Sequence, residues 1–167
     1  MKIQLSTIKT PFLLFSLLLA FSLTSCEKSG TDDQAEQVLD VNLLKSAGKY
    51  SDVIAKRESG SEQTFVIEDV KREGEYLKIK VKGGCSADAF KIIWDGSIML
   101  SHPAQVRLVL THESDNDDCS PTNEFTVSIN LAKIIGLQNQ SDFIFHIANG
   151  SIKEDKSLNP NGSVSSN

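Results

Sequence analysis

Across residues 65–147 the apolar side chains recur at every second position, and that period constrains the fold more than any other feature of the chain. Phe65 and Ile67 alternate with Val66 and Glu68, and Leu77, Ile79 and Val81 alternate with Lys78, Lys80 and Lys82. Phe90, Ile92 and Trp94 share one face, as do Val106, Leu108, Leu110 and His112. Phe125, Val127, Ile129 and Leu131 follow, then Phe143, Phe145 and Ile147. A period of two sends alternate side chains to opposite faces of an extended strand, so each run reads as a half-buried strand. Turn signals separate the runs: Arg72-Glu73-Gly74-Glu75, Gly83-Gly84, Asp95-Gly96 and the acidic segment 113–118. Strands at this spacing predict an all-β fold, an antiparallel β-sandwich of about six to eight strands. Parallel pairing would call for crossover helices, and no gap between the runs carries a long helical period.

The flanks are less regular. Val38, Leu39, Val41, Leu43 and Leu44 fit neither a clean helix nor a clean strand, so both stay open for residues 35–45. Residues 46–61, with Gly48, Gly60 and several serines, read as a connection. Residues 151–167, rich in Asn, Ser and Gly, are expected to be a disordered tail, which leaves 35–150 as the domain.

The first 25 residues read as an export signal, with Lys2 and Lys9 ahead of the apolar run 12–23. That run is short for a membrane-spanning helix, which needs about 20 apolar residues. It ends in Leu23-Thr24-Ser25-Cys26, which resembles the lipobox of bacterial lipoproteins. The resemblance implies cleavage before Cys26 and lipid on its sulfur. Two or three acyl chains there would give stable attachment to a membrane, where one chain binds only marginally. Residues 26–34 are polar and read as a lipidated tether. Acidic residues following the cysteine are similar to the export signals of some Bacteroidota surface lipoproteins; a plain solvated linker is the alternative. The expected place is the cell envelope, at the outer membrane, on either its periplasmic or its surface face.

Without residues 1–25 the formal net charge falls from −5 to −7, because two lysines and no acid are lost. Such a chain is not built for nucleic acid, where Lys and Arg on phosphate dominate binding.

With Cys26 assigned to lipid, Cys85 and Cys119 are an even pair in an exported chain and are expected to form a disulfide. Closing a loop of about 35 residues stabilises by roughly 3.5 to 4 kcal/mol in the chain-entropy model. Neither cysteine has a second cysteine or a histidine at the short spacing of zinc sites, and a catalytic thiolate would need a free thiol beside a histidine. No metal and no cofactor is therefore assigned. Gly83-Gly84-Cys85, Phe90, Trp94, Leu110-Thr111-His112 and Asp118-Cys119 together resemble a group of small Bacteroidota lipoproteins and secreted proteins in which two such cysteine segments flank a β hairpin. The resemblance covers about residues 77–131. That group is expected to carry a histidine three residues after the first cysteine, where this chain has Asp88, and it implies no activity.

The remaining candidates are sparse. His102, His112 and His146 are the only histidines, and a zinc or copper site would need two or three of them to converge with a carboxylate such as Asp88 or Asp118. His112 continues an apolar face and reads as half-buried near the disulfide. Asp115, Asp117 and Asp118 are calcium candidates, but the segment lacks the glycine and distant glutamate of an EF-hand loop. Lys78, Lys80 and Lys82 read as a solvated strand edge that resists pairing, or as a face for an acidic ligand. Asp88 and His112 are the polar residues singled out for function. No Gly-x-Ser-x-Gly, phosphate loop or His-Glu-x-x-His is present. The expectation is a lipid-anchored envelope module that binds an envelope protein or glycan without catalysis. A small hydrolase using a carboxylate and a histidine, and a purely structural lipoprotein, are the alternatives.

Overall fold

In the computed structural model, which describes residues 36–57, 65–113 and 119–167, the period-two runs build two sheets with one core between them. Residues 1–34, on which the expected export signal, Cys26 and the expected tether fall, lie outside the described residues, as do Asp115, Asp117 and Asp118. The chain enters with β1 (Gln37–Asp40) and β2 (Leu43–Lys45), then α1 (Ala47–Lys56). A hairpin follows, β3 (Val66–Glu73) with β4 (Tyr76–Lys82), and then β5 (Phe90–Met99) and β6 (Ala104–His112). After these come β7 (Glu124–Asn130), the short α2 (Ala132–Ile135), β8 (Phe143–Asn149), β9 (Lys156–Leu158) and β10 (Val164–Ser166). The larger sheet has the order β1-β2-β5-β6-β8-β9-β10 and the smaller β3-β4-β7. The fold is all-β and sandwich-like. Ten strands are described rather than six to eight, four of them only three or four residues long. Among the described residues no helix is long and apolar enough to cross a membrane.

The alternating rows meet where their period sends them. Leu77, Ile79 and Val81 of β4 face Leu108 and Leu110 of β6 and Phe145 and Ile147 of β8, all buried in the same cluster. In β3 a bulge between Ile67 and Asp69 shifts the register, so that Val70 rather than Asp69 turns inward.

The expectation of purely antiparallel pairing is corrected. β2 runs parallel to β5, and β6 runs parallel to β8. Each crossover passes through the opposite sheet, the first by α1 and the β3–β4 hairpin, the second by β7 and α2. A parallel pair needs a long connection, and strands of the second layer serve as well as a helix. The reading of Lys78, Lys80 and Lys82 as an edge is also corrected, since β4 is the middle strand of its sheet. Their outward side chains are crossed by neighbouring acids: Lys80 pairs with Glu68 at 2.8 Å and Glu124 at 2.9 Å, and Lys78 with Glu73 at 2.8 Å.

Residues 46–61 hold a helix rather than only a connection. Ser46 caps it, its Oγ accepting from the Lys49 N–H at 3.2 Å. Tyr50, Val53 and Ile54, at helical spacing, pack on Ile93, Val109 and Ala148. That contact covers the second face of the larger sheet and explains why β5 and β6 carry apolar residues on both faces. Asp95-Gly96 is not a turn but an irregularity inside β5, where the register with β6 shifts between Trp94 and Ile98. Residues 151–167, read as a disordered tail, contain β9 and β10. Leu158 is buried in the core, and Arg72 reaches from β3 to donate to the carbonyls of Gln140, Asn159 and Pro160. Burying one leucine stabilises by about 1.5 to 3 kcal/mol, enough to recruit an otherwise polar segment.

Candidate functional site

One cluster of polar chemistry forms where β4 hands the chain to β5. Gly83 and Gly84 have φ of +98° and +96°, backbone that side chains rarely adopt. A Cβ on Gly84 would stand 2.8 Å from Phe90 Cζ and 3.0 Å from the His112 ring. The lack of a side chain at Gly84 therefore lets the backbone pass against the imidazole. Asn123 fixes the turn from β7's side: Gly83 N–H donates to the Asn123 carbonyl at 2.8 Å, and the Asn123 amide donates to the Gly84 carbonyl at 3.1 Å.

His112 stands opposite Phe90 in the β5–β6 ladder, the two rings 4.7 Å apart and edge to face. Its Nε2 accepts from the Cys85 N–H at 3.1 Å, so in the neutral ring the proton sits on Nδ1. Burial pushes its pKa below the ordinary histidine value. Cys85 and Cys119 are paired at disulfide distance, with Cα atoms 4.5 Å apart. The ligand atoms of Cys85, Cys119 and His112 all lie within 4.8 Å of one another. Among the described residues this is the one group of three such side chains that could hold a metal ion.

Sequence spacing opposed a cysteine–histidine metal site, and the fold places Cys85, Cys119 and His112 near one another from three separate segments. Strand pairing closes that distance, and a local spacing rule does not register it. Asp88, singled out beside His112, sits in the 3-10 turn Ala87–Ala89 and is not part of the cluster. The histidines do not converge either. His102 lies in the connection between β5 and β6, preceding a cis peptide to Pro103, and His146 lies on the face of the larger sheet that α1 covers.

His146 belongs to a second feature, a groove of about 310 Å³ between α1, β6, β8 and the β9–β10 end of the sheet. Its walls include Tyr50, Arg57, Arg107, His146, Lys156 and Asn167. Period two accounts for the polar lining, because Arg107 and His146 alternate with the core residues of their strands. Arg107 is half-exposed and donates to the buried Asp95 at 2.6 Å, its guanidinium 5.9 Å from the centre of the Tyr50 ring. Asp95 is held by the Ser97 N–H and hydroxyl as well. Arg57 grips Asp155 with both terminal nitrogens, at 2.6 and 3.1 Å.

His146 is held at both ring nitrogens, Nε2 donating to Gln105 Oε1 at 2.9 Å and Nδ1 accepting from the Ser157 hydroxyl at 2.8 Å. Asn167 donates to the same Ser157 oxygen at 2.9 Å, and Gln105 donates onward to Ser101 at 3.0 Å. Burial first, and Arg107 second, lower the His146 pKa, so the ring is neutral near pH 7. Burial raises the Tyr50 phenol in spite of Arg107. The groove thus offers an aromatic wall, fixed hydrogen-bonding groups and cationic side chains. Sequence reasoning missed it because its residues come from five elements. The one local signal was the Arg and His interrupting otherwise apolar strands.

No protein-family model, no curated protein and no solved structure matches this chain.

Proposed function

We propose that this chain is a lipid-anchored binding module of the bacterial cell envelope, tethered through Cys26, whose groove takes a small anionic ligand such as a sugar acid of an envelope glycan. The observation that carries the reading is the groove itself. Its volume of about 310 Å³ is at the lower end of small-molecule sites, enough for one sugar ring. Tyr50 offers a ring face for stacking and Lys156 offers charge for a carboxylate, to which Arg107 adds the N–H groups left over from its pair with Asp95, while Arg57 is matched by Asp155. The aliphatic hydroxyl bonded to His146, that of Ser157, is buried and also accepts from Asn167, which suits the holding of a ligand better than attack on one. The anchor is supported by the lipobox Leu23-Thr24-Ser25-Cys26 and by the short apolar run before it.

The test is a nuclear magnetic resonance titration of the full chain with glucuronate, using glucose as the neutral control. A ligand of about 13 heavy atoms at roughly −0.3 kcal/mol per atom binds with about −4 kcal/mol, a millimolar Kd. Glucuronate is expected to shift Tyr50, His146 and Lys156, and Arg107→Met with Lys156→Met is expected to abolish the response. Equal shifts with glucose, or none with either sugar, would sink the anionic reading. For the anchor, Cys26→Ser is expected to move the chain from the membrane pellet to the supernatant. Unchanged sedimentation would refute lipidation there.

A further inference from the structure

We propose that Cys85, Cys119 and His112 form a redox-gated metal site: closed as a disulfide in the oxidised chain, and after reduction binding one thiophilic d10 cation, Zn²⁺ or Cu⁺, through two thiolates and the imidazole. The inference is independent of the groove and of its ligand. Three ligand atoms of the kind these ions select lie within 4.8 Å of one another. Bonds of about 2.3 Å to sulfur and about 2.0 Å to nitrogen place all three atoms around one ion at separations of that order, so closing the site needs side-chain rotation and no rearrangement of strands.

The surroundings are those of a built site. Imidazole is already half-buried and oriented, fixed between the Phe90 ring and the Cys85 backbone, and it cannot swing away without disturbing the core. Gly84, whose α-carbon has no room for a side chain beside the His112 ring, and Gly83 before it, both at positive φ, lead the chain into Cys85. Three protein ligands leave a fourth position for water in a tetrahedral zinc site, or complete a trigonal copper(I) site. His112 Nε2 exchanges the Cys85 N–H for the ion.

The chemistry balances with an external dithiol as reductant. Two electrons and two protons from the dithiol cleave the S–S bond and leave two thiols, the dithiol closing to its own disulfide. Zn²⁺ or Cu⁺ then displaces the two thiol protons to solvent as the metal–sulfur bonds form.

The experiment uses the full chain with Cys26→Ser, so that Cys85 and Cys119 are the only sulfurs that titrate. After reduction and removal of the dithiol without air, Zn²⁺ is titrated against a chromophoric chelator, Cu⁺ against a cuprous chelator, and Co²⁺ serves as the spectroscopic probe. One equivalent per chain is expected in the reduced form and none in the oxidised form, with a thiolate-to-cobalt charge-transfer band in the near ultraviolet. His112→Gln is expected to weaken binding at least tenfold while leaving both thiols, its fold checked by circular dichroism. Equal uptake by oxidised and reduced chains, unchanged affinity in His112→Gln, or a reduced chain that binds none of the three ions would overturn the proposal. If reduction unfolds the chain, Zn²⁺ is expected to restore the folded spectrum, and failure to do so overturns it equally.

Discussion

Replacing Gly84 by alanine tests the turn that wraps His112, and three glycines of the same chain separate the reasons it should be costly. Gly84 has φ +96° and its Cβ would meet Phe90 at 2.8 Å and His112 at 3.0 Å. Gly74 has φ +59° with nothing within 4 Å, so Gly74→Ala reports backbone strain alone. Gly48 lies in α1 with neither problem, and alanine there is expected to stabilise by up to about 1 kcal/mol through helix propensity. Strain at a positive-φ position costs about 1 to 3 kcal/mol, and forcing an extra methyl into packed surroundings about 1 to 3 kcal/mol more. Neither neighbour yields easily, for Phe90 is fully buried against Phe65 and Phe125, and His112 is hydrogen-bonded. Gly84→Ala is therefore expected to lose about 2 to 6 kcal/mol and Gly74→Ala about 1 to 3, and Gly48→Ala nothing. Urea denaturation followed by Trp94 fluorescence gives all three on one scale. Should Gly84→Ala cost no more than Gly74→Ala, the close approach of the turn to His112 is wrong.

Converting Cys85 and Cys119 together to alanine is expected to cost about 3.5 to 4 kcal/mol, measured as a lower urea midpoint with an altered slope. Asn149 is fully buried, donates to the Phe65 carbonyl at 2.8 Å and accepts from Ser151 and Ile152. Asn149→Ala strands these partners and is expected to cost about 2 to 4 kcal/mol by thermal and urea unfolding. His112 and His146 have folded pKa values below the unfolded value, so the unfolded state takes up protons first as the pH falls. Their stability contribution is complete above about pH 7 and is lost as the pH drops below 6.5 through their folded pKa values. Glu73 and Glu124, whose pKa values are lowered by Lys78 and Lys80, hold theirs until lower pH. Stability measured between pH 7.5 and 5 is expected to decline, and the decline to flatten in the His112→Gln, His146→Gln double variant; an unchanged slope would show that these rings do not carry it.

The long strands were legible because their apolar residues report which face is buried, and every inward row from Leu77 to Ile147 stands where a period of two puts it. What stayed hidden was settled by long-range contact. Tyr50, Val53 and Ile54 have a helical spacing, but ten residues with Gly48 near the start give it little room to show. β9 and β10 are short, polar segments that become strands because β8 offers an unpaired edge and Arg72 fixes the loop beyond. The parallel pairs were invisible for a related reason, since local sequence marks a strand and not its partner. At the sites the same division holds. Cys85 and Cys119 announced a pair by their number, whereas the nearness of His112 to both depends on the β5–β6 register and on the Gly83-Gly84 turn.

That nearness links the stability of the fold to whatever occupies the cluster. The disulfide and the proposed metal bridge are alternatives that use the same two sulfurs, and each closes the same segment of 34 residues. The disulfide removes unfolded-state entropy; the ion stabilises the reduced chain because it binds the folded state, by RT ln(1 + [M]/Kd). Matching a staple of about 3.5 to 4 kcal/mol requires free metal at roughly 400 to 1,000 times Kd. The reduced chain should therefore gain stability linearly with the logarithm of metal concentration once the site is saturated, while the oxidised chain ignores the metal. A reduced chain whose urea midpoint stays flat across that range, with His112 intact, would separate the fold from the cluster and leave Cys85 and Cys119 as a staple alone.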